Sequence, residues 1–155
     1  MTEKQGLALP PLAQVGIVVR DLKKATEYYS RVFGIGPFPI IVFAPEKHWV
    51  RGKPFPITLN IAFAQMGSVQ MELIEPVGDG PHKWFLDGKG EGLHHLGFIV
   101  DNYDAWINYL KQQGIEILMN AETDVPGMGH IRAAYMESDK PGGVLIELIE
   151  VTPPK

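Results

Sequence analysis

One strand-to-helix pattern occurs twice in this chain. The first copy is Gln14-Val-Gly-Ile-Val-Val19, then Asp21-Leu-Lys-Lys-Ala-Thr-Glu-Tyr28; the second is His95-Leu-Gly-Phe-Ile-Val100, then Asp101-Asn-Tyr-Asp-Ala-Trp-Ile-Asn-Tyr109. Each half closes on the same tetrapeptide, Glu72-Leu-Ile-Glu75 and Glu147-Leu-Ile-Glu150. Counted from Gln14 and His95, Tyr28 falls on Tyr109, and one gap later Gly34 falls on Gly114. Self-similarity of this kind marks a duplicated structural unit, and here it carries four potential metal ligands in two equivalent pairs.

At 155 residues the chain fits one domain, or two small modules around a shared core. A net charge of −4, with no dense Lys/Arg run, gives no reason to expect nucleic acid as a partner. The absence of cysteine excludes disulfides, thiolate metal sites and thiol nucleophiles, so any metal must sit on nitrogen and oxygen. No apolar run approaches the ~20 residues that span a bilayer, and the N-terminus lacks signal-peptide character. A cytoplasmic protein with no membrane partner is the expectation.

Residues 1–11 read as an N-terminal tail, 12–76 as a first βαβββ module, 77–92 as a linker and 93–151 as a second βαβββ module. In the first module, the β-branched run around Val15 to Val19 predicts a strand over 13–19. Asp21 is the expected N-cap of a helix from Leu22 to Phe33, stopped by Gly34. A proline-bearing strand over 36–43 follows, and the prolines and charges of 44–56 predict a long loop. Ile57 to Gln65 and Ser68 to Glu75 form a hairpin turning at Met66-Gly67. The linker holds at most a helical turn at 83–86. The second module repeats the order: strand 93–100, helix 103–113 stopped by Gly114, and strands 115–119, 130–136 and 144–151.

Side chains alternate along a strand, so Gln14 leads the apolar face of Gly16 and Val18, as His95 leads that of Gly97 and Ile99. Of His94 and His95, the alignment selects His95, since strict alternation would turn His94 the other way. Two carboxylates, Glu72 and Glu147, in an apolar cavity cost several kcal/mol each unless a cation or good hydrogen bonds compensate. A divalent metal on Gln14, Glu72, His95 and Glu147 would supply that compensation, and an octahedral ion would keep two adjacent positions for water or substrate. Singly, each residue is better explained as an ordinary polar strand residue; the constellation makes the case.

With these motifs, and with Gly92-Leu-His-His95 and Gly143-Val-Leu-Ile-Glu147, the chain resembles the vicinal oxygen chelate superfamily, which unites glyoxalases, bleomycin-resistance proteins and extradiol dioxygenases. The resemblance runs from about Leu12 to Val151. It implies an α+β glyoxalase fold, in which two βαβββ modules form one curved mixed sheet around a metal cavity, and a homodimer. In wording the chain is most similar to methylmalonyl-CoA epimerases, whereas its ligand set resembles that of lactoylglutathione lyase, glyoxalase I. Both imply a divalent ion (Zn, Co, Ni or Mn), a small-molecule substrate of acyl-CoA or hemithioacetal type, and proton abstraction beside a chelated carbonyl. The resemblance to the epimerases points to Glu147 as a ligand that also acts as base, and to Glu46 as the opposing acid–base group. A metal-free binding protein of the bleomycin-resistance type is the alternative of another class.

Overall fold

The computed structural model describes residues 6–137 and 141–155. Thirteen elements follow one another: β1 (Gln14–Val18), α1 (Leu22–Phe33), β2 (Ile40–Phe43), β3 (Lys47–Val50), β4 (Lys53–Pro54), β5 (Thr58–Met66), β6 (Val69–Val77), α2 (Pro81–Lys89), β7 (Gly92–Ile99), α3 (Tyr103–Gln112), β8 (Ile117–Val125), β9 (Gly129–Met136) and β10 (Leu145–Thr152). The fold is α+β, as expected. All ten strands form one mixed sheet in the order β2-β5-β6-β1-β7-β10-β9-β8-β3-β4.

The duplication is visible in the pairing. In the first half β1 runs parallel to β6, which pairs antiparallel with β5, which pairs antiparallel with β2. In the second half β7 runs parallel to β10, followed antiparallel by β9 and then β8. The two first strands, β1 and β7, pair antiparallel and make one sheet of the two halves.

Local chemistry explains the helices. Asp21 caps α1 by accepting from the Lys24 amide at 3.0 Å, and Gly34 closes the helix at φ 67°, the left-handed conformation glycine adopts without cost. Leu22, Ala25 and Tyr29 pack with Leu73 and Met71 of β6, while Tyr28, Val32 and Phe33 stay exposed. In α3, Tyr103 and Trp106 cover Leu148 and Ala134. Arg132 sits over the Tyr103 ring and bonds both Asp104 and Glu150, tying α3 to β9 and β10. None of the helices among the described residues is long and apolar enough to cross a membrane.

Three segments differ from expectation, the simplest being the strand expected over 115–119, which is β8 and runs Ile117–Val125. Residues 44–56 are not a plain loop: β3 and β4 lie within them, and β3 pairs with β8 at the far end of the other half. Pro45 precedes β3, Pro54 lies within the short β4 and Pro56 follows it, which leaves β3 itself proline-free, so the breaker signal was real but misplaced. The single turn expected at 83–86 is a nine-residue helix, α2, begun by Pro81 and closed at Gly90. Proline suits the first turn of a helix, where its missing N–H is not needed.

Leu73 and Leu148 are fully buried in separate clusters, one in each half. Leu73→Ala and Leu148→Ala should each cost about 2–5 kcal/mol. Because the halves share one sheet, urea denaturation followed by circular dichroism should give a single shifted transition for both; two separable transitions would contradict a shared core.

Candidate metal centre

Two glycines organise the site. Across the β1–β7 pair, Gln14 lies opposite Gly97 and His95 opposite Gly16. Within each half, Gly16 registers with Glu72 and Gly97 with Glu147. Every proposed ligand is thus a register neighbour of a position without a side chain. A methyl group at Gly16 would overlap the His95 imidazole, and one at Gly97 would come within 3.0 Å of the Gln14 Cβ and 3.5 Å of Glu147 Oε2. The glycine in each copy of the repeat leaves room for the polar side chain of the other copy.

The four side chains meet inside one chain and are nearly inaccessible, His95 completely so. His95 Nε2 lies 3.1 Å from Glu72 Oε2 and 2.9 Å from Glu147 Oε2. Gln14 Oε1 stands 2.9 Å from His95 Nε2 and from Glu72 Oε2, and 3.2 Å from Glu147 Oε2. Neighbouring ligand atoms around an octahedral divalent ion with bonds of about 2.1 Å lie about 3 Å apart, so these spacings fit one. Without a cation the Gln14 amide would turn its NH2 toward Glu72 Oε2 and Glu147 Oε2 as a donor, and with a divalent ion among them its oxygen would face inward instead. Turning the amide would bring its oxygen against Gln70 Oε1, 2.8 Å away, to which Gln14 Nε2 now donates. Gln70, from β6, holds the outer atom of this amide and so fixes the position of the Gln14 side chain from outside the cluster.

Charge balance is the main electrostatic problem here. Burial raises the Glu72 carboxyl above its ordinary range, against the opposing pull of His95. Burial also disfavours a charged His95, but Glu147 and Glu72 outweigh it and raise this imidazole to about 10. In the bare protein the imidazolium is the balancing cation, a role a divalent metal would take over. Tyr135, opposite Glu147 on β9, is pushed well above the usual phenol range by burial and by the Glu147 and Glu72 charges, so it stays protonated.

His94 does not turn away as alternation predicts. Gly16 pairs with His95 and Ile17 with Leu93, which leaves His94 as the extra residue of a β-bulge. It is buried, with its Nδ1 3.0 Å from His95 Nδ1. Burial, then the neighbouring His82 and His95, holds His94 well below the usual histidine range. Neutral His94 thus accepts from His95 Nδ1–H and leaves Nε2 as the metal-facing nitrogen.

Gln14, Glu72 and Glu147 border a cavity of about 440 Å³, with His95 buried behind them and Phe43, Ile57, Ile61, Ala133 and Ile149 among its other walls. His48, His82 and Tyr135 also line it. Glu46 does not: it is exposed, outside the lining, and contributes only a backbone N–H near Thr123 Oγ1. Sequence reasoning missed Tyr135, which cross-strand pairing with Glu147 makes visible, and His82, whose helix it read as a turn.

Comparison with known proteins agrees with this geometry. The family model described as Glyoxalase/Bleomycin resistance protein/Dioxygenase superfamily matches residues 13–135. The chain belongs to this superfamily. It is 31% identical over 140 residues to an uncharacterized protein, YqjC, of Bacillus subtilis (strain 168), covering 90% of this chain and 91% of that one. It is 32% identical over 139 residues to the mitochondrial methylmalonyl-CoA epimerase of Homo sapiens, covering 88% and 72%. Among solved structures, the methylmalonyl-CoA epimerase of Mycobacterium tuberculosis superposes with a TM-score of 0.66 at 26% identity, over 94% of this chain and 90% of that one. A methylmalonyl-CoA epimerase in complex with methylmalonyl-CoA and NH4+ superposes at 0.69 and 24% identity, over 95% and 100%, which shows the shared fold.

Replacing Gly16 by Ala should displace the His95 ring. Binding of Zn or Co to the full chain, followed by chelator competition, should weaken at least roughly tenfold, with the far-UV spectrum retained; affinity equal to the parent's would argue against this site.

Proposed function

We propose that the protein is a metal-dependent acyl-CoA epimerase working through an enolate. The observation that carries this reading is the meeting of Gln14, Glu72, His95 and Glu147 at the edge of an apolar cavity. Similarity to methylmalonyl-CoA epimerases at 31–32% identity supports the thioester substrate class. Glyoxalase-type chemistry receives less support, because the places where glyoxalase I carries groups for glutathione offer Val18 and Pro76. Val18 is buried in the core, and the nearby Arg20 is exposed.

A divalent ion bound to the four residues would polarise a thioester carbonyl and stabilise the enolate. The protein's own groups perform the rest. Gln70 and His94 hold Gln14 and His95 in orientation. The apolar walls exclude water, which strengthens each charge interaction within. Glu147, at the cavity edge with one oxygen in the cluster, takes a proton from the carbon beside the carbonyl, or returns one to it. Since all four ligands come from one chain, each copy of a cytoplasmic homodimer would hold a complete site.

Purified without added metal and then loaded with Zn, Co, Ni or Mn, the protein should bind about one ion per chain, and Glu147→Gln should bind at least roughly tenfold more weakly. No stoichiometric ion in the parent would favour a metal-free binding protein instead. In deuterium oxide the loaded protein should exchange the acidic carbon-bound proton of methylmalonyl-CoA or a related 2-substituted malonyl-CoA, read by NMR. Exchange confined to hemithioacetals would move the assignment to glyoxalase chemistry, and no exchange in either class would exclude the enolate mechanism.

A further inference from the structure

Epimerisation needs a proton-transfer group on each face of the reacting carbon, and Glu147 supplies only one. The other titratable side chains lining the cavity are His48, Glu72, His82 and Tyr135. Glu72 belongs to the ligand cluster, and Tyr135 registers with Glu147 on the neighbouring strand, on that carboxylate's own side. Two histidines remain.

His48 stands on β3, the strand that the segment between β2 and β5 carries across to pair with β8. It is buried, and its backbone and side chain are both tied to Phe55. The Phe55 amide donates to the His48 carbonyl at 2.9 Å, and His48 Nδ1 lies 2.7 Å from the Phe55 carbonyl oxygen. A carbonyl oxygen only accepts, so Nδ1 carries the hydrogen. Neutral His48 then has its lone pair on Nε2, which makes no hydrogen bond within the described residues. One nitrogen oriented by a fixed acceptor and the other free is the arrangement a general base requires.

His82 lacks that arrangement. It stacks on His94 at 4.7 Å between ring centroids, and both its nitrogens are buried without a partner among the described residues. Nothing fixes which of its nitrogens carries the hydrogen, so neither is aimed as a base, and burial lowers its pKa as it lowers that of His48.

We infer that His48 is the second proton-transfer group, acting through Nε2 on the face of the substrate carbon opposite Glu147. The inference rests on the epimerase reading and adds the residue that completes it. β10 and β3 stand three strand spacings apart, about 14 Å along a flat sheet. Curling the sheet brings both side chains to one cavity from different directions. In one direction neutral His48 takes the carbon-bound proton, the C–H electron pair passes into the enolate, and protonated Glu147 delivers a proton to the other face. In reverse, ionised Glu147 takes the proton and the His48 imidazolium delivers one.

His48→Asn is the discriminating variant, because its amide N–H can still donate to the Phe55 carbonyl while the Nε2 base is gone. Single epimers of an acyl-CoA that the parent exchanges should be incubated with metal-loaded full-length His48→Asn in deuterium oxide. Exchange from one epimer should persist within a few-fold, while exchange from the other and interconversion fall at least roughly 100-fold. Metal affinity and the far-UV spectrum should stay at parental values. Interconversion near the parental rate, equal loss for both epimers, or one-sided loss in Glu46→Gln instead would each overturn the assignment of His48. No exchange by the parent itself would bring down the epimerase reading, and His48 with it.

Discussion

The antiparallel pairing of β1 with β7 is the contact on which the fold and the site both depend. It joins two identically wired half-sheets, and in its register each polar ligand faces a glycine of the other half. The same glycines register with the two closing glutamates. Removing two β-carbons at the centre of the sheet creates the volume into which Gln14 and His95 turn, and the parallel neighbours β6 and β10 then present Glu72 and Glu147 to the same point. Elsewhere in the sheet a glycine would only weaken a strand; here it admits a neighbouring side chain.

That convergence is costly before it is useful. Two buried carboxylates are unstable in an apolar surround unless something positive lies between them. In the bare protein His95 becomes the cation, and the spacing and orientation of the four ligand atoms suit a divalent ion taking that place. The outer contacts, Gln70 on Gln14 and His94 on His95, hold the two inner side chains in place. The centre is thus the local solution to a desolvation problem posed by the rest of the sheet.

Much of this was legible in the sequence because it was written twice. Period-two and helical patterns located β1, α1, β5, β6, β7, α3, β9 and β10 to within a few residues, and the shared Glu-Leu-Ile-Glu placed both glutamates. Local pattern failed where pairing is long-range. The segment 44–56 has the composition of a loop, but it donates β3 to a strand about seventy residues away, and that pairing carries His48 to the cavity. Alternation failed at His94 because a bulge inserts one residue and shifts which way a side chain faces. Glu46, placed by resemblance, lies two residues from the side chain that does enter, so a small offset in an irregular segment separates an exposed carboxylate from a buried imidazole.

By itself the sequence determined the duplicated α+β architecture and the identities of four ligand-capable residues, since hydrophobic period and repeated motif are properties of the chain read locally. The tertiary structure decided that the four meet within a single chain, that glycine vacancies are what let them meet, and which further side chains reach the cavity. Those outcomes depend on cross-strand register and on the curl of a ten-stranded sheet, quantities set by contacts among residues far apart in sequence, which no local pattern encodes.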